Sequence, residues 1–484
     1  MNNYYIITKA KNNYLYNDLL KQFIYLDPVI VEILKLKINN KFCLENRMEF
    51  QGSYKENTDN ISHLIKKAEY IEKYIISRVD KREYIWDKLP VKLIKKEFLK
   101  TKEIIFEVTE RCNLACKYCA YSEIYENGIA RTQDDLKFTD AKILLDKMLS
   151  DPEYISEHQN DPVNIGFYGG EPLLKMDLIK EIIIYIEKKY PNIKYKYRIT
   201  TNGVLLDKYY HYLIEKDFTL MISLDGDKDA NSYRVFKNGK ESYEIVHENI
   251  KKIMSKNIEY FNKKVVFNSL ITNKSSYYKI TKYFQQNYNK NTSISELTSE
   301  SILYGFEDVF KEMKKDALPS FYEDRSIYND EQFWENTEFE KEVTQLRLRT
   351  YFIGQYYTLN DLIDEEITLK TFIRGCIPFS VKIFLSVSGK LYPCERTNRK
   401  AFYGQITDNE IFQYPQISQY YFERLNMLKE QCKNCARYYN CNYCIFKLNL
   451  EEGYVKCPRF ITETNQEKVL SELIYRIEQN NKLV

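Results

Sequence analysis

The chain has 484 residues, 44% of them hydrophobic and 29% charged, which reads as a soluble globular protein rather than a disordered one and leaves room for two to four domains. Its 72 basic and 69 acidic residues give a net charge of +3, so no global field steers it toward nucleic acid or anionic lipid, and neither is expected as a partner. The opening MNNYYIITKAKNN lacks an apolar core of signal-peptide length, and no run reaches the roughly 18 apolar residues of a membrane span. The expected compartment is therefore the cytoplasm, where 11 cysteines serve as ligands or reactive thiols rather than disulfides.

In chain order, YYIIT and NYLYN read as short strands, with KAKNN between them suiting a hairpin. LDPVIVEILKLKI then starts a helix, with Asp27 as N-cap, Pro28 in the first turn and Ile30, Ile33 and Leu34 at helical spacing. ISHLIKKAEYIEKYIISRV is a further amphipathic helix, and the lone Cys43 is expected to be a buried apolar residue. Together these predict a small winged-helix-like domain over residues 1–100. From about residue 102 the pattern becomes apolar strands alternating with helices. EIIFEVT, VNIGFYGG, YKYRITTNG, TLMISLDGD and VVFNSLIT are the strands, a sign of parallel βαβ units whose chemistry sits on the loops after the strands. Residues 306–370 read as a helical connection without a motif. Cysteines return over 371–460, and a last helix lies within 461–484.

Directly after EIIFEVT comes ERCNLACKYCAY, with Cys112, Cys116 and Cys119 spaced CxxxCxxC. Three thiols make neither an even disulfide set nor a complete tetrahedral zinc site, whereas three thiolates on a four-iron cubane leave one iron open. The spacing, with the aromatic Tyr118 before the third cysteine, resembles the radical SAM superfamily. GGEP after the second strand, TTNG ending the third and SLDGD ending the fourth follow in the family's order; any one of them alone is ordinary turn punctuation. The resemblance implies an α/β fold with a partial (β/α)6 TIM-like barrel over residues 101–305. It also implies S-adenosylmethionine (SAM) bound at the open iron and a 5′-deoxyadenosyl radical made by reductive cleavage. Carried over residue by residue, Gly169, Gly170, Glu171, Asn202, Ser223 and Arg234 are the expected SAM-binding positions.

Cys376, Cys394, Cys432, Cys435, Cys441, Cys444 and Cys457 remain. Alone, CKNCARYYNCNYC could be a four-cysteine zinc site. The whole series, with Gly389 five residues before Cys394, resembles the SPASM domain of peptide- and protein-modifying radical SAM enzymes. That resemblance implies two auxiliary [4Fe–4S] clusters, three clusters in all. Cys432, Cys435, Cys441 and Cys457 would hold one; Cys376, Cys394 and Cys444 would hold the other, which lacks a fourth cysteine. Relatives often place three residues between the last two members of the run, and here there are two.

Sulfatase maturases, relatives within this class, use an Asp after the cysteine corresponding to Cys394 as a base. Glu395 stands there, with Arg396 and Arg399 as alternative structural partners. The combined expectation is a peptide maturase acting on a ribosomally made precursor, whose leader pairs with the N-terminal domain as an added strand. A flavodoxin- or ferredoxin-type donor would supply electrons. Formylglycine formation on a sulfatase, or a non-catalytic metal-binding scaffold, are the alternatives.

Overall fold

The computed structural model of the chain describes residues 4–7, 12–17, 22–38, 58–76, 84–125, 132–299, 302–317, 320, 370–371, 376–407, 411–438, 441, 443–448 and 457–479. It begins with a three-stranded antiparallel sheet of β1 (Tyr4–Ile7), β2 (Asn13–Asn17) and β3 (Gln22–Leu26), in that spatial order. The hairpin pairs Ile6 with Leu15, and QFIYL adds a third strand beyond the two that were expected. Helix α1 (Pro28–Ile38) starts where Asp27 Oδ1 accepts the Val29 N–H at 2.8 Å, capping one of the free first-turn donors. Ile30, Ile33 and Leu34 are buried against Leu15 and Leu26, and α2 (Thr58–Ile71) adds Ile65, Ala68 and Ile71 to the same small core. Cys43 lies outside the described residues, as does most of the expected connection over 306–370.

A short strand β4 (Tyr84–Ile85) and helix α3 (Val91–Leu99) lead into the main body. There six strands run parallel, each beside the next: β5 (Glu103–Thr109), β6 (Val163–Gly169), β7 (Tyr195–Thr201), β8 (Thr219–Ser223), β9 (Val265–Ile271) and β10 (Thr292–Glu296). Near-continuous burial along EIIFEVT is what a parallel strand covered on both faces requires. Between the strands lie α4 (Phe138–Leu149), α5 (Pro152–Glu157), α6 (Met176–Lys189), α7 (Leu206–Glu215), α8 (Tyr243–Lys256), α9 (Ile258–Lys264) and α10 (Tyr277–Tyr288). In α6, Leu178, Ile179, Ile182, Ile183 and Ile186 are buried at the three- and four-residue spacing of one helix face.

Downstream, α11 (Glu307–Met313) is followed by β11 (Lys370–Thr371), which pairs with β4. Strand β12 (Ile383–Leu385) then lies parallel to β5, with Ile383 opposite Ile104, and β13 (Lys390–Tyr392) and β14 (Gly404–Gln405) extend the sheet antiparallel. The cysteine-rich segment is thereby joined to the edge of the strand that delivers the first cysteines. Helices α12 (Tyr414–Met427), α13 (Lys429–Lys433) and α14 (Glu463–Gln479) complete the described chain. No described helix is long and apolar enough to cross a membrane.

Candidate functional site

Cys112, Cys116 and Cys119 follow the end of β5 as free thiols. Main-chain bonds from two sides fix their loop. Ala115 and Lys117 donate to the carbonyls of Val235 (2.7 Å) and Tyr233 (3.0 Å), while Gly170 and Glu171 donate to Thr109 (2.8 Å) and Arg111 (2.9 Å). Gly169, at φ 148°, and Gly170 lie so close that a Cβ on either would collide with the carbonyl oxygen of Thr109 or Arg111. The double glycine therefore serves first to let two loops touch.

Burial pushes the Cys112 thiol up to about 11 and the Cys116 thiol to about 12, and charge on the neighbouring thiols pushes in the same direction. Such groups stay protonated at neutral pH until a metal displaces the proton. Among the described residues no three His, Cys, Asp or Glu converge on a single metal-ion position. The three thiols lie close enough for their charges to raise one another, which suits a cubane that takes each thiolate on a separate iron.

The cysteine loop forms one wall of a cavity of about 1710 Å³. Strand ends and following loops supply Gly169 and Gly170, Thr201 and Asn202 and Ser223 to its lining, and Asn268 and Ile294 add to it from within β9 and β10. Asn202 donates to Asn113 Oδ1 at 2.7 Å and approaches the Cys112 sulfur at 3.7 Å. Arg234 also lines the cavity, but Nε and Nη2 are each 3.0 Å from the Asp225 carboxylate. Burial alone would pull the guanidinium down; Asp225, with Tyr118 and Cys116 behind it, holds it well above its usual range.

Glu171, expected among the cofactor-binding residues, does not line the cavity. It is fully buried, and its oxygens accept from Leu173 N–H (3.1 Å), the Thr201 hydroxyl (2.7 Å) and Asn202 N–H (2.7 Å), tying the double-glycine loop to the end of β7. Burial raises its carboxyl to about 7 against these hydrogen bonds.

The C-terminal thiols gather in two groups. Cys432, Cys435, Cys441 and Cys457 line one small cavity with Tyr438 and Phe460. Their segments are joined where Ala436 N–H meets the Ile461 carbonyl (2.9 Å) and Cys457 N–H meets Gln431 Oε1 (2.9 Å). In the second group, burial raises Cys394 to about 11, with Glu395 and then Cys444 adding to it. Cys444 is raised by burial and by Cys376.

Glu395 lines the main cavity, its carboxylate 3.3 Å from Lys382 Nζ and 3.8 Å from Arg396 Nε; Lys382 also lies 3.4 Å from Glu103. Arg399 turns elsewhere. It is bound to the buried Glu107 on β5 and, at 2.9 Å, to the Tyr121 hydroxyl, with its guanidinium over the rings of Tyr121, Phe384 and Tyr392.

With that geometry in place, known proteins give a consistent answer. Residues 106–273 match the model of the Radical SAM superfamily. The chain carries a radical SAM domain. Its match begins inside β5 and ends just past β9, so it takes in the cysteine loop, both glycines and Arg234. The chain is 26% identical over 331 residues to the radical SAM cyclopropyl synthase TigE of Paramaledivibacter caminithermalis, covering 67% of this chain and 58% of the relative. It is 32% identical over 162 residues to a cysteine-type anaerobic sulfatase-maturating enzyme of Clostridium novyi, covering 32% and 41%. The chain thus spans about half the length of these curated relatives. The solved structure of native anSMEcpe with bound AdoMet and Kp18Cys peptide superposes with a TM-score of 0.51 at 17% identity, over 78% of this chain and 99% of that one, and shows a shared fold.

Within the radical SAM domain, sequence reasoning missed Asp225 and the link from Glu107 and Tyr121 to Arg399 outside it. SLDGD displayed Asp225 in plain view, but nothing local marks its partner Arg234. Glu107 sits in an apolar strand, where a buried carboxylate requires a partner; that was a signal, though it did not name one.

Proposed function

We propose that this protein is a radical SAM peptide maturase that takes a hydrogen atom from a ribosomally made peptide and leaves a cross-link (thioether, carbon–carbon or carbon–oxygen) or an epimerised residue. The observation that carries the reading is the cavity. Its walls are the three-thiol loop and the turn bearing Glu395, and its 1710 Å³ exceeds the roughly 300–1,000 Å³ of a small-molecule site, leaving room for SAM and a length of peptide. The name of TigE, a cyclopropyl synthase, supports carbon–carbon bond formation, and the sulfatase-maturating relative supports a protein or peptide substrate.

Cys112, Cys116 and Cys119 would hold the cluster that binds SAM, and SAM bound there would supply the radical chemistry that abstracts hydrogen. Asn202, Ser223 and Arg234 offer polar groups around the cofactor on the strand-end side. On the facing wall Glu395, steadied by Lys382, accepts a proton from the substrate. Cys432, Cys435, Cys441 and Cys457 would hold one auxiliary [4Fe–4S] cluster, and Cys376, Cys394 and Cys444 the other. A flavodoxin- or ferredoxin-type protein delivers the electron, and the sheet of β1 to β3 receives the leader peptide by strand pairing. Formylglycine formation on a sulfatase is the second reading, favoured by the 32% identity to a sulfatase-maturating enzyme.

The test is anaerobic reconstitution, reduction with dithionite and addition of SAM, followed by co-expression with the short reading frame nearest the gene. 5′-Deoxyadenosine release, with a peptide mass lowered by a pair of hydrogens or unchanged but carrying solvent deuterium, supports the maturase. Release that yields an aldehyde on a sulfatase fragment selects the second reading. No release from iron-replete protein refutes both.

A further inference from the structure

Asp225, two residues past the end of β8, is fully buried, yet its carboxylate collects four donors. Arg234 Nε reaches Oδ2 and Arg234 Nη2 reaches Oδ1, both at 3.0 Å; the Tyr118 hydroxyl donates to Oδ2, and Leu270 N–H donates to Oδ1 at 2.9 Å. These donors come from three places: the cysteine loop, where Tyr118 lies between Cys116 and Cys119; the segment after SLDGD; and β9. The Arg234 guanidinium also lies over the Tyr118 ring, 5.6 Å from its centre. With Nε and Nη2 engaged, Nη1 is the guanidinium nitrogen without a partner among the described residues, on a side chain that lines the cavity beside the thiols.

A buried ion pair is an expensive way to hold two loops together, since apolar side chains of equal volume do that at lower cost. What the pair provides that apolar packing does not is a cation held in one orientation at the rim of a cavity. We propose that Asp225 is a positioning residue for SAM: it clamps Arg234 through Nε and Nη2 so that Nη1 meets the carboxylate of the methionine moiety, and through Tyr118 it ties that cation to the cysteine loop. This rests on the radical SAM reading above.

The experiment uses the full chain, reconstituted anaerobically, with SAM itself as the probe. SAM affinity is measured from the change it causes in the electron paramagnetic resonance spectrum of the reduced cluster, with iron per chain determined in parallel. Asp225→Glu keeps the buried charge but moves it by one methylene, so it is expected to retain iron while SAM binds about tenfold more weakly, the scale of one impaired charged hydrogen bond. Tyr118→Phe keeps the ring and the Arg234 pair, so a smaller weakening of about two- to threefold is expected. Wild-type SAM affinity in Asp225→Glu overturns the proposal. Loss of the cluster iron in Asp225→Glu also overturns it, because the carboxylate would then be a prop for the cysteine loop alone. If the wild-type protein itself takes up iron but shows no SAM-dependent spectral change, the radical SAM reading is what fails.

Discussion

Cys112, Cys116 and Cys119 sit among seven-residue strands, with main-chain bonds to Val235 and Tyr233 on one side and to the double-glycine loop on the other. The C-terminal thiols are drawn from positions 376 to 457 and lean on strands of two or three residues. The first set is placed by the strands and main-chain bonds of the parallel sheet. The second is linked partly through its own turns, such as Cys435 N–H to the Cys432 carbonyl at 3.1 Å, and partly through β12 on β5 and an apolar core shared with the barrel. The contrast is between thiols set on one loop of a parallel sheet and thiols gathered from separate segments at that sheet's edge.

The largest effect expected is on chemistry. Changing Cys112, Cys116 and Cys119 together to Ala should abolish 5′-deoxyadenosine formation and remove about a third of the iron, leaving roughly 8 irons per chain on the auxiliary ligands. Undiminished SAM cleavage in that variant would sink the assignment. Next comes iron removal. Chelation should open residues 376–460 to limited proteolysis more than the six parallel strands, because the thiols there come from separate segments that clusters would tie together. Equal cleavage of both regions would mean that the comparison is wrong. Gly170→Ala attacks the first set instead. The added Cβ meets the Arg111 carbonyl, so the loop must shift, and the expected result is a melting point lower by several degrees with iron lost first from the SAM-binding site. Loss from the auxiliary sites first would contradict the placement of this loop.

What could be read in the sequence follows the same divide. β5 to β9 were visible because buried parallel strands are written as apolar runs, and the CxxxCxxC thiols because their ligands share one loop. β10 escaped notice, since TSISE offers a single aliphatic residue, and so did β3, which abuts the helix signal of Asp27 and Pro28. Partnerships across the fold left no local trace: Arg399 and Glu107 are 292 residues apart. Glu171 shows the remaining limit. GGEP marks a turn near a ligand, but spacing alone cannot say whether a carboxylate faces the ligand or turns inward to brace the turn.

That inward carboxylate gives the finest test of the double-glycine loop. Its folded pKa of about 7 lies above the 4.5 of a free Glu, so burial penalises the charged form. The protonated state therefore favours folding fully below about pH 4.5, and that contribution is lost as pH rises through about 7, amounting to about 3 kcal/mol at most. Glu171→Gln removes this titration, and it turns an amide N–H toward a donor, either Asn202 N–H or the pair Leu173 N–H and Thr201 hydroxyl. The variant should melt well below the wild type at about pH 5.5, with the gap narrowing toward about pH 8, where the wild type carries the buried charge. A gap that stays constant across that range would mean that Glu171 is solvated in the folded protein, and that the double-glycine loop is looser than its hydrogen bonds to Thr109 and Arg111 require.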